Sequence, residues 1–466
     1  MTARFPARDK VAIVGLGATQ YTRSGTRTAP ALAIEAAQQA ITDAGLKPED
    51  IDGLIGSSWN ACPPPTYLQA ALGIPELTWS AQHIVPFATL LISAMNAVAA
   101  GVCETALVYT SLNRMPGLSQ SAASDPFRAR MVNNLGGLQW IGRQIPGLAS
   151  SYSGWMQRYM HEYGACREDF GRLAISNRSY AADNPRAIFR EPLTMEAYLA
   201  ARMVENLGGL QLTGRQIPGL ASSYSGWMQR YMYEYGAKRE DFGRLAISNR
   251  SYAADNPRAI FHEPLTMDEY LGARMVREPM CMLDMDIPID GADAVVVTTA
   301  ERARDLKKPP VLIHAATYGQ VIHGEDDQMP GLRNLSKHAV ARNLWPRSEL
   351  ALADMDIFFP YDGFSVIMMN DIEVAGYCGP GEAPDFVKSH WDAKTNRLKI
   401  DGKILVNPHG GALSEGGNQS AGHIREATTQ LRGDAGARQS PHPVKNALLI
   451  SGSLFFNTVG LVLRTA

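Results

Sequence analysis

The sequence is poor in cysteine and nearly without net charge. Its five cysteines, Cys62, Cys103, Cys166, Cys281 and Cys378, stand without any Cys-x-x-Cys spacing in 466 residues. That usage argues against a thiolate zinc site and against a disulfide framework, and fits a reducing cytoplasm. Lys and Arg number 44 against 46 Asp and Glu, so the balance has no basic excess for nucleic acid or an acidic membrane surface. The opening segment, 1–10, is polar and runs straight into a strand, so no signal peptide is expected. The pattern Gly15-Leu-Gly17 lacks the third glycine of a dinucleotide fingerprint, which argues against NAD. One segment, 84–103, imitates a membrane span, being uncharged and long enough to cross a bilayer. It contains Pro86, Thr89, Ser93 and Asn96 and is rich in alanine, so it reads as a helix buried inside a large protein rather than a membrane span.

What is present is ordinary globular material, 45% apolar and 19% charged, in a length that suggests two or three domains. Apolar runs at 10–15, 53–57 and 106–110 read as buried strands. Between them, 31–44 has helical periodicity ending at Gly45, and the buried helix of 86–100 ends at Gly101. Strand, helix, strand, helix, strand is an α/β pattern.

The chain then repeats itself. Residues 131–202 recur as 203–274, an offset of 72 with nine differences. These are Asn133/Glu205, Trp140/Leu212, Ile141/Thr213, His161/Tyr233, Cys166/Lys238, Arg190/His262, Glu196/Asp268, Ala197/Glu269 and Ala200/Gly272. Ala-Arg-Met-Val occurs at 129, 201 and 273, which points to unequal recombination in an ancestor with one unit. Two units of subdomain size do not make a solenoid. Near-identical side chains satisfy the same neighbours, so one unit is expected in the native position and the other as an extra lobe.

The α/β pattern resumes with 290–298 as a turn and strand, a short helix at 300–306, and a linker at Lys308-Pro-Pro310. A strand at 311–316 leads to a polar loop that begins with Tyr318, and 356–365 reads as a strand ending in a polar turn. Strands are also expected at 403–406, 447–454 and 458–464. Asn407-Pro-His-Gly-Gly-Ala-Leu-Ser-Glu-Gly-Gly-Asn418 holds four glycines in two pairs, between a strand and a helix at 424–431. Glycine at that density lets backbone approach a ligand or another element closely.

Four pieces now stand in order: Asp-Ala-Gly-Leu-Lys-Pro-Glu-Asp-Ile-Asp52, Asp290-Gly-Ala-Asp-Ala-Val-Val-Val, Pro360-Tyr-Asp-Gly-Phe-Ser365 and Asn407-Pro-His-Gly-Gly411. Together they resemble the thiolase superfamily, in its sterol-carrier-protein-X-like, lipid-transfer-protein branch. The resemblance implies an α/β fold of two similar βαβαβαββ halves in αβαβα layers, usually dimeric. It implies halves at 1–307 and 308–466, with a helical loop domain inserted at about 111–288 that contains the whole duplication.

At four functional positions the sequence departs from the family pattern. Thiolases carry a cysteine nucleophile at the start of the buried helix; here the residues are Gln82-His-Ile-Val-Pro-Phe87. Gly417 stands for the catalytic histidine, Ser451-Gly-Ser453 for Cys-x-Gly, and Tyr361 for the oxyanion asparagine or histidine. A ping-pong Claisen reaction needs an activated thiolate, so it is not expected. Some members of the branch resemble retro-aldolases that use tyrosines in place of the cysteines and work with a partner carrying an OB-fold and a zinc ribbon. The resemblance therefore implies retro-aldol cleavage of a β-hydroxyacyl-CoA of the steroid side-chain type, with Tyr361 and Tyr318 as acid and base. Asp362, Asn407, His409, Gly410, Gly411, Gly417, Ser451 and Ser453 would line the CoA-thioester pocket, with His423 and His83 as further pocket residues. The glycine amides would approach the acyl carbonyl. The CoA thioester is substrate, and no bound cofactor or metal is expected. The alternatives are an acetyl-CoA acetyltransferase-like acyltransferase and a non-catalytic acyl-CoA or lipid-binding subunit.

Overall fold

A computed structural model describes residues 5–58, 62–83, 86–114, 156, 159–184, 190–200, 220–321, 331–454 and 458–466. The chain forms two units, one of 1–128 with 223–466, the other of 129–222. The first copy of the repeat lies wholly in the second unit. The second copy, from Ser223 onward, belongs to the first.

The larger unit is built on twelve strands in the order β10-β11-β12-β9-β13-β14-β8-β1-β7-β4-β2-β3. These are β1 (Val11–Ala18), β2 (Gly53–Ser57), β3 (Trp79–His83), β4 (Thr105–Asn113), β7 (Asp290–Thr299), β8 (Val311–Gly319), β9 (Ile357–Pro360), β10 (Trp391–Asp392), β11 (Arg397–Ile400), β12 (Ile404–Val406), β13 (Asn446–Ser451) and β14 (Thr458–Thr465). A separate hairpin pairs β5 (Met275–Arg277) with β6 (Met280–Cys281). Two halves share one topology. β3-β2-β4 and β12-β9-β13 are both parallel trios. β7 then joins β4 to β1, and β14 joins β13 to β8, each antiparallel on both sides. The halves meet where Ala12 and Ile13 of β1 pair with Leu312 and Val311 of β8. The near-continuous apolar runs of β4, β7, β8 and β13 follow from burial on both faces.

The helix Ala29–Ala44 shows why alanine and glycine are placed as they are. Thr28 caps its first turn, and Gly45 ends it at φ 74°. A Cβ at Gly15 or Gly17 would lie 2.2 or 2.0 Å from the Ala40 or Ala36 carbonyl oxygen. The Gly-x-Gly of β1 therefore admits this helix against the strand. The buried helix of the 84–103 stretch is Phe87–Ala99. No described helix is long and apolar enough to cross a membrane.

Some elements differ from the sequence expectation. β8 continues to Gly319, so Tyr318 lies within the strand and not in the loop after it. Asp290 and Gly291 belong to β7 rather than to a turn before it. The strand expected at 356–365 ends at Pro360, and Ser365 opens a helix that runs to Ala375. The strand expected at 447–454 ends at Ser451.

Candidate active site

In parallel sheets, ligands bind outside the carboxyl ends of the strands. Tyr361 follows β9, Asn407 to His409 follow β12, and Ser451 ends β13. Pro360 pairs with Ile450, Ser451 with Val459, and Val459 with Tyr318. Tyr318 is thus three strands from the β9 end, about 14 Å at the usual strand spacing. It is exposed, and its hydroxyl donates to Gln320 Oε1 at 3.0 Å. The two tyrosines are not brought to one point.

Tyr361 is enclosed. Its backbone N–H donates to Asp371 Oδ2 at 2.9 Å, and Asp371 is paired with Lys337 in a fully buried bridge. Burial pushes the Tyr361 hydroxyl well above the ordinary tyrosine range, and the Asp286 carboxylate adds to this. A phenol so placed is protonated at neutral pH and acts as a donor.

Asp286 occupies the position that the resemblance leaves empty. A Cβ on Gly417 would lie 2.2 Å from Asp286 Oδ2. The carboxylate fills the space where a side chain at 417 would begin, and Arg114 Nη1 pairs with Oδ2 at 2.7 Å. Short backbone bonds fix it there: Asp286 N–H donates to Gly363 O at 2.9 Å, and Ile287 N–H to Ala412 O at 3.0 Å. Gly417 N–H closes the stitch on Ile287 O at 3.0 Å. Sequence reasoning missed Asp286 and Arg114. Asp286-x-Pro-x-Asp-Gly is visible just before β7, but nothing in that spacing links it to residue 417.

Asp362 is the buried junction of the site. It accepts from Ala412 N–H at 2.9 Å, Leu413 N–H at 3.0 Å and Asn249 Nδ2 at 2.6 Å. His423 Nε2 faces its Oδ1 at 2.8 Å. One carboxylate thus ties the glycine loop, the helix Ala421–Arg432 and the second repeat copy together. His423 lies 5.9 Å from the Tyr361 ring, centroid to centroid. His409 sits behind it, 4.8 Å from the His423 ring, and burial holds it neutral, well below the ordinary histidine range. Neither ring nitrogen of His409 has a hydrogen-bond partner among the described residues. His83 is exposed at the end of β3.

The glycine loop uses its amides internally. Gly410 N–H donates to Asn407 O at 2.8 Å, while the Ala412, Leu413 and Gly417 amides have the partners named above. Close approach explains two of the glycines: a Cβ on Gly410 would meet Ala253 at 2.5 Å, and one on Gly411 would meet Asp362 at 2.0 Å. Asn407, at φ 51°, donates its Nδ2 to Pro360 O at 3.0 Å. Ser451 shares a hydroxyl bond with Ser420, and Ser453 O accepts from Thr458 Oγ1 at 3.0 Å. Gln419 and Ser420 are consecutive left-handed residues at φ 52° and 71°. The Gln419 carbonyl accepts from Phe87 N–H at 3.0 Å, so it caps the helix whose N-terminus holds the thiol in thiolases. The thiols lie elsewhere: burial pushes Cys62 up to about 11 and Cys103 up to about 12, which makes both poor nucleophiles. Among the described residues, no cluster of His, Cys, Asp and Glu could hold a metal ion.

Residues 320–465 match the family model described as thiolase C-terminal domain-like. Over 97% of this chain and 99% of the other, the sequence is 30% identical to a 17-hydroxy-3-oxo-4-pregnene-20-carboxyl-CoA lyase of Mycobacterium tuberculosis. The chain belongs to the thiolase superfamily, in its sterol-carrier-protein-2-like branch. This thiolase-superfamily member is also 29% identical to a steroid side-chain-cleaving aldolase of Thermomonospora curvata, over 97% of both chains. A solved structure described as an Ltp2-ChsH2(DUF35) aldolase superposes with a TM-score of 0.71 at 27% identity, covering 98% of each chain. Human mitochondrial 3-ketoacyl-CoA thiolase superposes with a TM-score of 0.57 at 14% identity, covering 99% of each chain, a likeness of fold.

Proposed function

We propose that this protein is a carbon–carbon lyase that cleaves a β-hydroxyacyl-CoA of the steroid side-chain type by a retro-aldol reaction. The observation that carries the reading is the Asp286–Arg114 pair, held beside a protonated Tyr361 at the position of the thiolase histidine. The near-full-length likeness to a CoA-ester lyase and a side-chain-cleaving aldolase supports it.

Asp286 takes the proton of the substrate's β-hydroxyl, and the C–O bond becomes C=O. The Cα–Cβ bond breaks, and its electron pair moves into the thioester as an enolate. Tyr361 donates a hydrogen bond to the enolate and then its proton to Cα. The products are a carbonyl compound and a shortened acyl-CoA. Asp286 returns its proton to Tyr361, so the site ends as it began. Arg114, whose guanidinium is stabilised chiefly by Asp286 and also by Tyr361, offsets the transient negative charge. Tyr318 lies too far along the sheet to share this proton and is assigned to the rim of the pocket. The remaining pocket residues hold this geometry: Asp362 and His423 fix the loop under Tyr361, and Asn407, His409, Ser451 and Ser453 form the strand-end wall.

The test is turnover of a β-hydroxyacyl-CoA, read as release of the carbonyl product. If the Tyr361→Phe protein turns over substrate at the wild-type rate, the assignment is wrong. The likeness to the Ltp2-ChsH2(DUF35) aldolase supports a partner protein, for which the family resemblance implies an OB-fold and a zinc ribbon. A homodimer is the expected assembly, since β3 is an edge strand of the twelve-stranded sheet among the described residues. Light scattering of the pure protein should give the mass of two chains. Five free cysteines support a cytoplasmic location.

A further inference from the structure

The second repeat copy is part of the candidate site. Its helix Arg239–Ala253 sends Asn249 to Asp362, Tyr252 to the Leu398 carbonyl at 3.0 Å, and Ser248 to the Leu398 N–H at 2.9 Å. Tyr231, on the helix Leu220–Tyr235, donates to Glu373, and Asn256 donates to the His409 carbonyl at 2.8 Å. Phe242, Leu245 and Tyr231 are fully buried, and Tyr252 is 2% exposed. These contacts define a seat on the larger unit.

Among its described residues the first copy packs internally in the same way and lacks that burial. Tyr159 and Phe170 meet edge to face at 6.0 Å, as their counterparts Tyr231 and Phe242 do. Asp169 caps the Cys166 N–H at 2.8 Å, as Asp241 caps Lys238 at 2.8 Å. Gly171 packs on Tyr198 and Met195, as Gly243 packs on Tyr270 and Met267. Yet Tyr159, Leu173 and Tyr180 are 52, 65 and 79% exposed, where Tyr231, Leu245 and Tyr252 are buried. Of the nine differences, six fall at described positions in the second copy, namely Tyr233, Lys238, His262, Asp268, Glu269 and Gly272, and every one is exposed. Among those residues no substitution touches the face that enters the seat. The first copy even carries Asn177 where the second offers Asn249 to Asp362.

We propose that the first copy is an interchangeable occupant of this seat within the same chain. When the second copy leaves, 131–202 takes its place and rebuilds the site with Asn177 facing Asp362. The Ala-Arg-Met-Val junctions at 129, 201 and 273 make both threadings equivalent: one copy is seated and the other is carried as an insertion, before it or after it. The proposal stands apart from the reaction assigned above, because its primary readout is folding.

The test places a charge at the buried aromatic of each copy. Phe242→Asp alone and Phe170→Asp alone should each keep a cooperative thermal transition by circular dichroism, and the double variant should lose it. In the Phe242→Asp background, Tyr159→Cys and Glu373→Cys should be joined within one chain by a short bis-maleimide, read by peptide mass mapping. Phe242→Asp behaving like the double variant overturns the proposal. So does a folded Phe242→Asp protein in which the 159–373 link is absent or joins two chains.

Discussion

At the residue scale the proposed chemistry turns on one phenol and one carboxylate. Tyr361→Phe removes the donor, and turnover should fall by roughly 10²- to 10⁴-fold, the usual worth of a positioned acid or base, with the thermal midpoint unchanged. Asp286→Asn should cost a similar factor. Gly417→Ala is the sharper probe, because the added methyl would overlap the Asp286 carboxylate and push it off Arg114. Turnover should drop although residue 417 carries no reactive group. Full activity in Gly417→Ala would show that Asp286 need not stand there. Positions 361 and 417 could be singled out from motif order, since each lies a fixed distance along a recognisable turn. Asp286 and Arg114 were not, because 172 residues separate them and only the fold brings them together. The catalytic pairing expected for Tyr318 failed on sheet geometry: sequence placed it near a strand end, and register put two strands, β13 and β14, between it and β9.

At the scale of elements, the helix Ser336–Leu344 supports the site from below through Lys337. Lys337→Met leaves Asp371 buried without its partner. Urea unfolding should then show a loss of about 3–5 kcal/mol, the usual cost of breaking a buried pair from one side. The same helix carries a titration. Burial lowers His338 from its ordinary value to about 4, so the folded chain prefers it neutral. Its contribution is therefore complete above about pH 6.5 and is lost as pH falls toward 4, where the unfolded chain has already taken up the proton. Urea midpoints at pH 7 and pH 5 should differ less in His338→Gln than in the parent. Elements with continuous apolar runs, such as β4, β7 and β13, could be read directly from the sequence. β3 could not, since Trp79-Ser-Ala-Gln-His83 lies at a sheet edge and is only partly buried, without a core signature. The helix Ser365–Ala375 was hidden for a different reason. It is buried nearly all round, Ser365, Asn370 and Asp371 included, so its polar residues marked no exposed face.

For the whole molecule, the duplication was the most legible feature, and its consequence for the fold the least. Identity at 72-residue spacing shows two equivalent pieces but gives no ground for seating one before the other. Two deletions make the comparison direct. Chains lacking 131–202 or lacking 203–274 should both fold, with thermal midpoints within a few degrees of each other, since the differences at the described positions of the second copy are all exposed. A collapse of only the second chain would mean that the differences at 133/205, 140/212 and 141/213 decide the fit. The shared topology of the two halves was foreseen from motif order, and the strand pairing bears it out.

The order of synthesis adds one consequence. Both copies precede Asp362, Glu373, Leu398 and His409 in the chain, so each has left the ribosome before any of these partners exists. Being made first gives the leading copy no head start, because there is nothing yet for it to dock against. The choice falls after translation, with both candidates present at equal concentration on one tether. Protein refolded from denaturant should therefore seat the two copies in the same proportion as protein made in the cell.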